Sequence, residues 1–370
     1  MSELAYWLGF SLIHDVGTKK IKQLQDHFGS LQSAWNAPVQ ELRELGWSYQ
    51  AIQDMQNERS KLNLEHELRR VELVKAFLLC LADSNYPPSL RVIDSPPAIL
   101  YVRGTLHDQD SRAICVVGTR KATSYGREIA YRFSHDLAQL GYTIIGGLSD
   151  GIEAAAHRGA LDAGGRTIAV LPSGINHVYP YGNETKQLAH RIIEHGCVLS
   201  EFRIGAHPQP SSFTRRNRLM SGMAKGVLVV EAGETSGALN TASHAIEQGR
   251  EVFAIPHNIL HKDGIGCNKL IQDGAKLVRG IEDIIDEIPS HSPNALLFAP
   301  SPSDSLDMDL SETEQQILDL LGANPIHVDD LARSSQLPIS DVMSTLTILE
   351  LNGLAQSVGN MLYVAYPTYL

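Results

Sequence analysis

The run Ile114-Cys115-Val116-Val117-Gly118-Thr119-Arg120 decides the fold. An apolar, β-branched segment of strand length stops at a glycine, a hydroxyl and a guanidinium. A helix-length segment follows from about Ser124. The same order recurs at Gly146-Gly147-Leu148-Ser149-Asp150-Gly151 and at Val170-Leu171-Pro172-Ser173-Gly174, and a basic block closes the region at Phe213-Thr214-Arg215-Arg216-Asn217-Arg218. Strands buried on both faces read as near-continuous apolar runs, and the loops at their C-terminal ends face the ligand in an open parallel sheet. Those loops are rich in glycine and arginine, which suits an anionic backbone ligand.

Working outward, strands are predicted at 112–118, 142–146, 166–171, 197–201, 226–231 and 251–255, with a short one at 276–278. Helices are predicted at about 125–140, 151–163, 183–195, 214–224, 237–248 and 267–273. Strict alternation with short links gives an α/β fold, an extended Rossmann-like doubly wound parallel sheet. Phe77–Leu81 and Ile99–Val102 read as two more strands, separated by Pro87, Pro88, Pro96 and Pro97, which impose extended or turn geometry.

The flanks read differently. Residues 1–70 are small helices, and Val16-Gly17-Thr18-Lys19-Lys20 resembles the turn of a helix-hairpin-helix (SAM-like) domain. Such a turn can hold a phosphate on its amides, but with one clean hairpin and mixed charge, packing is the simpler reading. The core domain is placed at 71–288 and a Pro/Ser/Asp-rich linker at 289–305, with Asn360 expected at a hairpin turn in a winged-helix domain over 306–370. Ser311 and Glu314 form a capping-box start for its first helix. From Asp307 onward Arg333 is the only basic residue against nine acidic ones, so this module suits protein contact better than duplex DNA.

Composition narrows the function. The chain of 370 residues carries a net charge of −11, yet residues 111–230 hold 14 Lys/Arg against 8 Asp/Glu. A locally positive face on an acidic chain is an electrostatic footprint that overall charge conceals. No apolar run is long enough to span a bilayer, and no basic, apolar and small-residue leader is visible, so a cytoplasmic protein without membrane insertion is expected. Cys80, Cys115, Cys197 and Cys267 are scattered without a CxxC pair, which fits buried reduced thiols.

The chemistry points to binding. Gly118, Thr119, Arg120 and Lys121 offer close backbone approach, a hydroxyl and a bidentate fork to a phosphate. Arg215, Arg216 and Arg218 add charge near a helix start, although some could be surface residues paired with carboxylates. Ser236-Gly237 supplies a further small-residue turn before a helix. Tyr125 or Phe213 could stack a base. The strand-helix turn lacks the second and third glycines of GxGxxG, and GxxxxGK[ST] is absent, which excludes a P-loop NTPase. Glu153 and His157, at i and i+4, read as a helix-surface pair. His257, His261 and Cys267 match no common metal spacing, so neither a metal, a cofactor nor a catalytic site is expected.

The chain resembles the DprA (Smf) family, the DNA-processing proteins of bacterial natural transformation. The resemblance runs from about Phe77 to Ile285. It rests on Tyr86 to Gly104, Gly118 to Gly126, Gly151 to Leu161, Tyr179 to Asn183, Leu199 to Arg218, Val229 to Pro256 and Gly266 to Ala275. It implies a homodimer that binds single-stranded DNA, protects it and helps load the RecA recombinase, with no catalytic reaction. By position it places phosphate contacts on Gly118, Thr119, Arg120, Arg216, Asn217, Arg218 and Lys186, and Gly147 and Phe213 join the set of DNA-binding candidates. The chain departs from the family pattern at Asp150, Pro172, Thr214 and His257. An acidic side chain at 150 would repel a nearby phosphate. A nucleotide- or phospho-ligand-binding protein or enzyme using the same strand ends is the alternative, and a pure interaction scaffold leaves the arginine loops unexplained.

Overall fold

In the computed structural model, residues 2–288, 311–322, 326–351, 354–359 and 361–365 are described. They divide into two compact units, covering residues 1–290 and 291–370. The first begins with helices α1 (Glu3–Ser11), α2 (Thr18–Phe28), α3 (Leu31–Asn36), α4 (Val39–Arg43), α5 (Tyr49–Arg59) and α6 (Leu64–Leu73). Strand β1 (Phe77–Cys80), helix α7 (Pro88–Arg91) and strand β2 (Ile99–Gly104) lead into the core. There β3 (Ala113–Gly118), α8 (Ser124–Gln139), β4 (Thr143–Gly146), α9 (Ile152–Asp162), β5 (Thr167–Val170), α10 (Asn183–His195) and β6 (Cys197–Ser200) follow in alternation. The second half runs α11 (Pro210–Met223), β7 (Gly226–Glu231), α12 (Gly237–Glu247), β8 (Glu251–Ala254), α13 (Ile265–Gln272), β9 (Lys276–Leu277) and α14 (Glu282–Ile285).

The nine strands form one sheet in the order β1-β2-β6-β5-β4-β3-β7-β8-β9. From β6 to β9 every pairing is parallel, while β2 joins β6 antiparallel and β1 joins β2 antiparallel. The order reverses between β3 and β7, so the crevice beyond Gly118 and Glu231 is the topological switch point. Side-chain alternation divides the core: Ala113, Cys115 and Val117 face one layer, and Ile114 and Val116 the other. The first layer is continuous with the N-terminal helices through Trp7, Leu8 and Phe10, and the second is covered by α8, α9 and α14. All four cysteines are free and buried.

Two sequence expectations shift. Helix α11 begins at Pro210, a turn before the predicted start, because Gln209 and Ser212 form a reciprocal cap and Pro210 occupies the first turn, where its missing N–H costs nothing. Phe213 and the arginines therefore lie inside the helix and point to different sides. Glu153 and His157 are not a surface pair, since both are buried on α9 and each bonds elsewhere.

The second unit holds α15 (Glu312–Leu320), β10 (Ile326–His327), α16 (Val328–Ser335), α17 (Ile339–Leu351), β11 (Ala355–Gly359) and β12 (Leu362–Ala365), its strands ordered β10-β12-β11. Three helices and a small sheet close over Ile317, Leu331, Val342, Leu346 and Leu349, which is a winged helix. The Ser311–Glu314 capping box is present. The linker at 289–305 and the turn at Asn360 lie outside the described residues.

Helices α8 and α9 approach closely because Gly159 lies against the backbone of Tyr131, where a β-carbon would overlap the Tyr131 carbonyl oxygen. Gly159→Ala is expected to force the helices apart and destabilise the first unit by about 1–3 kcal/mol, read as a lower denaturation midpoint of the full chain. An unchanged midpoint would show that the contact is soft.

Candidate nucleic-acid interface

An open parallel sheet concentrates positive potential at its switch point, where a helix N-terminus normally meets a bound anion. Here the position is filled from within. Thr123 caps α8, accepting the Gly126 N–H at 3.0 Å. The buried Glu231 carboxylate accepts both the Thr123 N–H, at 3.1 Å, and the Thr123 hydroxyl, at 3.0 Å. Gly126 is required, since a β-carbon there would overlap the carboxylate. The carbonyl of Glu231 also accepts the Thr119 N–H at 2.7 Å, fixing the end of the Gly118-Thr119 loop.

A second carboxylate serves the next loop. Glu153, buried on α9, accepts the Ser149 N–H at 2.9 Å and lies 3.8 Å from the Arg216 guanidinium. Arg216 is only 3% exposed; its Nη1 donates to the Val170 carbonyl at 3.3 Å. The guanidinium occupies the space a β-carbon on Gly147 would need, which explains glycine at that position. Burial lowers the Arg216 pKa, and Glu153 offsets part of that shift. His157 lies below, its Nδ1 at 2.7 Å from the Thr167 hydroxyl, and burial pushes its pKa down to about 4.

With these groups inside, the solvent-facing part of the site differs from the sequence reading. Arg216 and Asn217 are buried, so in this conformation they hold the loops and do not face solvent. Asn217 donates to the Gly237 carbonyl at 3.4 Å and to Asn240 at 3.3 Å, tying α11 to the Ser236-Gly237 turn. Ser236 uses its hydroxyl to cap α12, and Gly237 is exposed with open space around it. Arg215 and Arg218 turn away and share the buried Glu201, at 3.1 and 2.5 Å. Arg120, Lys121 and Lys186 are exposed, the last one turn into α10.

A connected ridge of rings rises beside the loops. The Arg120 guanidinium sits over the Phe213 ring at 4.7 Å. Tyr179 meets Phe213 edge-on at 5.7 Å and Tyr181 at 5.4 Å. The Tyr181 hydroxyl lies 3.3 Å from His207 Nδ1, and the His207 ring lies 4.4 Å from His177. Tyr181 is 59% exposed. Tyr125 is also exposed but packs against His257 instead, and His257 is anchored to the Val230 carbonyl at 2.8 Å. The sequence singles out Phe213 but not the rest of the ridge, although Tyr179 and Tyr181 fall in the matched stretch Tyr179 to Asn183. Exposed Asp150 abuts the Arg120 loop, because Gly151 rests on the carbonyls of Thr119 and Arg120 with φ of +79°.

Residues 77–289 match the family model for DNA recombination-mediator protein A, and residues 300–361 match the DprA winged helix domain. Protein Smf of Synechocystis sp. is 33% identical over 98% of both chains. DNA processing protein DprA of Bacillus subtilis is 40% identical over 57% of this chain and 71% of its own. The X-ray structure of DprA from Streptococcus pneumoniae covers 79% of this chain and 99% of its own, with a TM-score of 0.68 and 30% identity. DprA from Helicobacter pylori, whose structure was described for its single-stranded-DNA binding mode, has a TM-score of 0.52 at 26% identity, over 57% of this chain and 94% of its own. The chain belongs to the DNA recombination-mediator protein A (DprA/Smf) family.

The buried histidine makes the site acid-sensitive. Its folded pKa of about 4 lies below its ordinary 6.5, so the unfolded chain binds the extra proton between those values. Stability should therefore be full above about pH 6.5 and fall on acidification toward about pH 4, by roughly 3 kcal/mol in all. Denaturation midpoints across that window should show a shallower acid slope for His157→Gln than for the natural chain. Identical slopes would remove His157 as the cause.

Proposed function

We propose that this chain binds single-stranded DNA along the strand ends of the core unit, gripping backbone phosphates and stacking bases without reading sequence. The observation that carries this reading is the Arg120–Phe213–Tyr179–Tyr181 ridge: a cation beside connected aromatic rings is the combination single strands require. Arg120, Lys121 and Lys186 supply charge for phosphates, and Gly118, Thr119, Gly147, Ser236 and Gly237 keep the neighbouring loops compact. Arg216, Asn217 and Arg218 act from behind, fixing α11 and the loops it supports. Family membership, and a relative whose structure was described for single-stranded-DNA binding, support the same assignment. The resemblance also carries the finer expectation that two copies of the chain deliver the strand to the RecA recombinase in the cytoplasm as part of transformation. No catalytic step is assigned.

The occupied switch point favours this reading over a mononucleotide site. A free nucleotide's phosphates would have to displace Glu231 from the Thr123 amide and hydroxyl. A strand can instead lie across the outside, on side chains alone.

Fluorescence anisotropy of labelled oligo-dT across a salt series tests the proposal. Arg120→Ala should weaken binding about tenfold and flatten the log–log salt slope by about 0.7, the value for one lost phosphate contact. Phe213→Ala should lose a comparable amount, since stacking contributes roughly 1–3 kcal/mol per base, yet leave the slope nearly unchanged. Equal affinity for duplex and single strand, or wild-type binding in both variants, would overturn the assignment.

Asp150 provides an opposite-signed check. Asp150→Asn removes a like charge beside the Arg120 loop and should tighten binding at low salt by about two- to three-fold, the gain vanishing as salt rises. Unchanged affinity at low salt would place the strand away from this loop.

A further inference from the structure

A second group of cations lies away from the ridge. Between the start of α2, the loop after α7 and the far side of α11 lies a cleft of about 750 Å³. Lys19, Lys20, Lys22, Arg91, Arg215 and Arg218 line it, against the carboxylates of Asp15, Asp94 and Glu201. The cleft belongs to a single compact unit, and its walls are joined, since the Thr18 hydroxyl donates to the Pro96 carbonyl at 2.6 Å and Arg218 donates to the Ser95 carbonyl at 2.6 Å. It adjoins a second cavity of about 800 Å³, which adds Lys61, Arg203 and the carboxylate of Glu58 and shares Arg215, Asp15 and Glu201.

The charges in the cleft are only partly neutralised. Arg215 and Arg218 divide one carboxylate, Glu201, leaving an excess cation. Lys20 rests over the Trp47 ring at 5.0 Å. Lys19 and Lys22 are exposed and form no ion pair among the described residues, although Asp26 and Glu44 line the surface beside them. Unpaired lysines beside arginines already oriented by a buried carboxylate, with cations in excess over the cleft's carboxylates, form a receptor for a polyanion.

Helix α11 connects this cleft to the ridge. Arg215 follows Phe213 by two residues, about 200° around a helix, so one helix presents an aromatic ring to the ridge and a guanidinium to the cleft. We infer that the cleft is a second phosphodiester subsite, which receives the continuation of the single strand after it leaves the ridge. This inference rests on the proposed function above and extends it to a longer footprint, reached only by strands that can pass around the start of α11. The hairpin turn at Val16-Gly17-Thr18, which sequence alone reads as packing, then also serves as one wall of a DNA path.

The test uses the full chain with oligo-dT of roughly 5 and roughly 20 nucleotides, lengths chosen to fall within and beyond a compact site. Lys19→Glu/Lys22→Glu is compared with the natural chain, with Lys19→Arg/Lys22→Arg and with Arg120→Ala. Both lysines are exposed, so these variants should fold, and the arginine pair should behave as the natural chain. The expected result is a loss of about tenfold on the long oligonucleotide, a salt slope shallower by about 1.4, and no change on the short one, whereas Arg120→Ala weakens both. Unchanged binding of the long strand by the glutamate variant overturns the inference, and so does an equal loss on both lengths. If no form of the chain binds DNA, the ridge assignment fails first. Pyrophosphate titrated against tryptophan fluorescence then reads the cleft alone: a response in the natural chain that the glutamate variant lacks shows an anion site for free phosphates and overturns the DNA path.

Discussion

The carboxylate of Glu231 is the group on which the site depends. A doubly wound sheet directs helix N-termini and free amides toward one crevice, and in many such proteins a bound phosphate satisfies them. Here Glu231, itself the last residue of β7, reaches the cap of α8 and accepts the Thr123 N–H and hydroxyl. Gly126 exists to admit it. The charge that a ligand would contribute is built into the chain, so the crevice is complete without one. Under the proposed function, binding has to occur further out, where side chains extend beyond the closed loops.

Helix α11 turns that constraint into an arrangement of surfaces. Its residues divide by face: Phe213 outward to the ridge, Arg216 inward under Gly147, Arg215 and Arg218 across to Glu201. Arg216 is the costly member, a buried guanidinium with Glu153 at 3.8 Å as its counter-charge. Removing either partner would leave an uncompensated buried charge, which is far more destabilising than the pair is stabilising. Gly147 is fixed by the same geometry, because any side chain there would take the place of the guanidinium. What looks like a flexible glycine loop in sequence is therefore a tightly occupied one.

How much of this was legible follows from the kind of information each feature uses. Strand positions and the doubly wound parallel class were readable because buried parallel strands such as Ile114–Val117 are apolar throughout, and caps such as Ser311–Glu314 are local, whereas the strand order and the antiparallel β1 and β2 emerge only from the structure. Arg120 and Phe213 were readable as chemistry, but their contact was not, since 93 positions separate them in the chain. Glu153 and His157 were misread as a surface pair because helical spacing reports which residues share a face, not whether that face is covered; on α9 both faces are buried. The burial of Arg216 was not readable for the same reason. Three arginines within four positions must point to different sides of a helix, and only the packed neighbours decide which side is inside. The start of α11 moved because the Gln209–Ser212 cap carries a weaker sequence signal than the Ser/Thr-to-Glu pattern.

Charge is segregated along the chain in a way that supports a single-strand binder over a general DNA binder. The region 111–230 carries an excess of basic residues, while the chain as a whole has a net charge of −11. In the winged helix, Arg333 is paired with Asp330 at 2.6 Å, and α17 has Asp341 in its first turn and no basic residue in its last. A duplex reader needs cations along the element that enters the groove, to replace the counterions it releases. That element here is acidic and apolar, so a polyanion approaching it is repelled. Under the proposed function, the strand is held at the strand ends of the first unit and by the cations behind α11. A flexible strand can bend to follow such a short, curved path, whereas a duplex with a persistence length of about 150 base pairs cannot do so without a large bending energy. Under the proposed function, a preference for single strands follows from where the positive charge lies, with no contact to any base edge required.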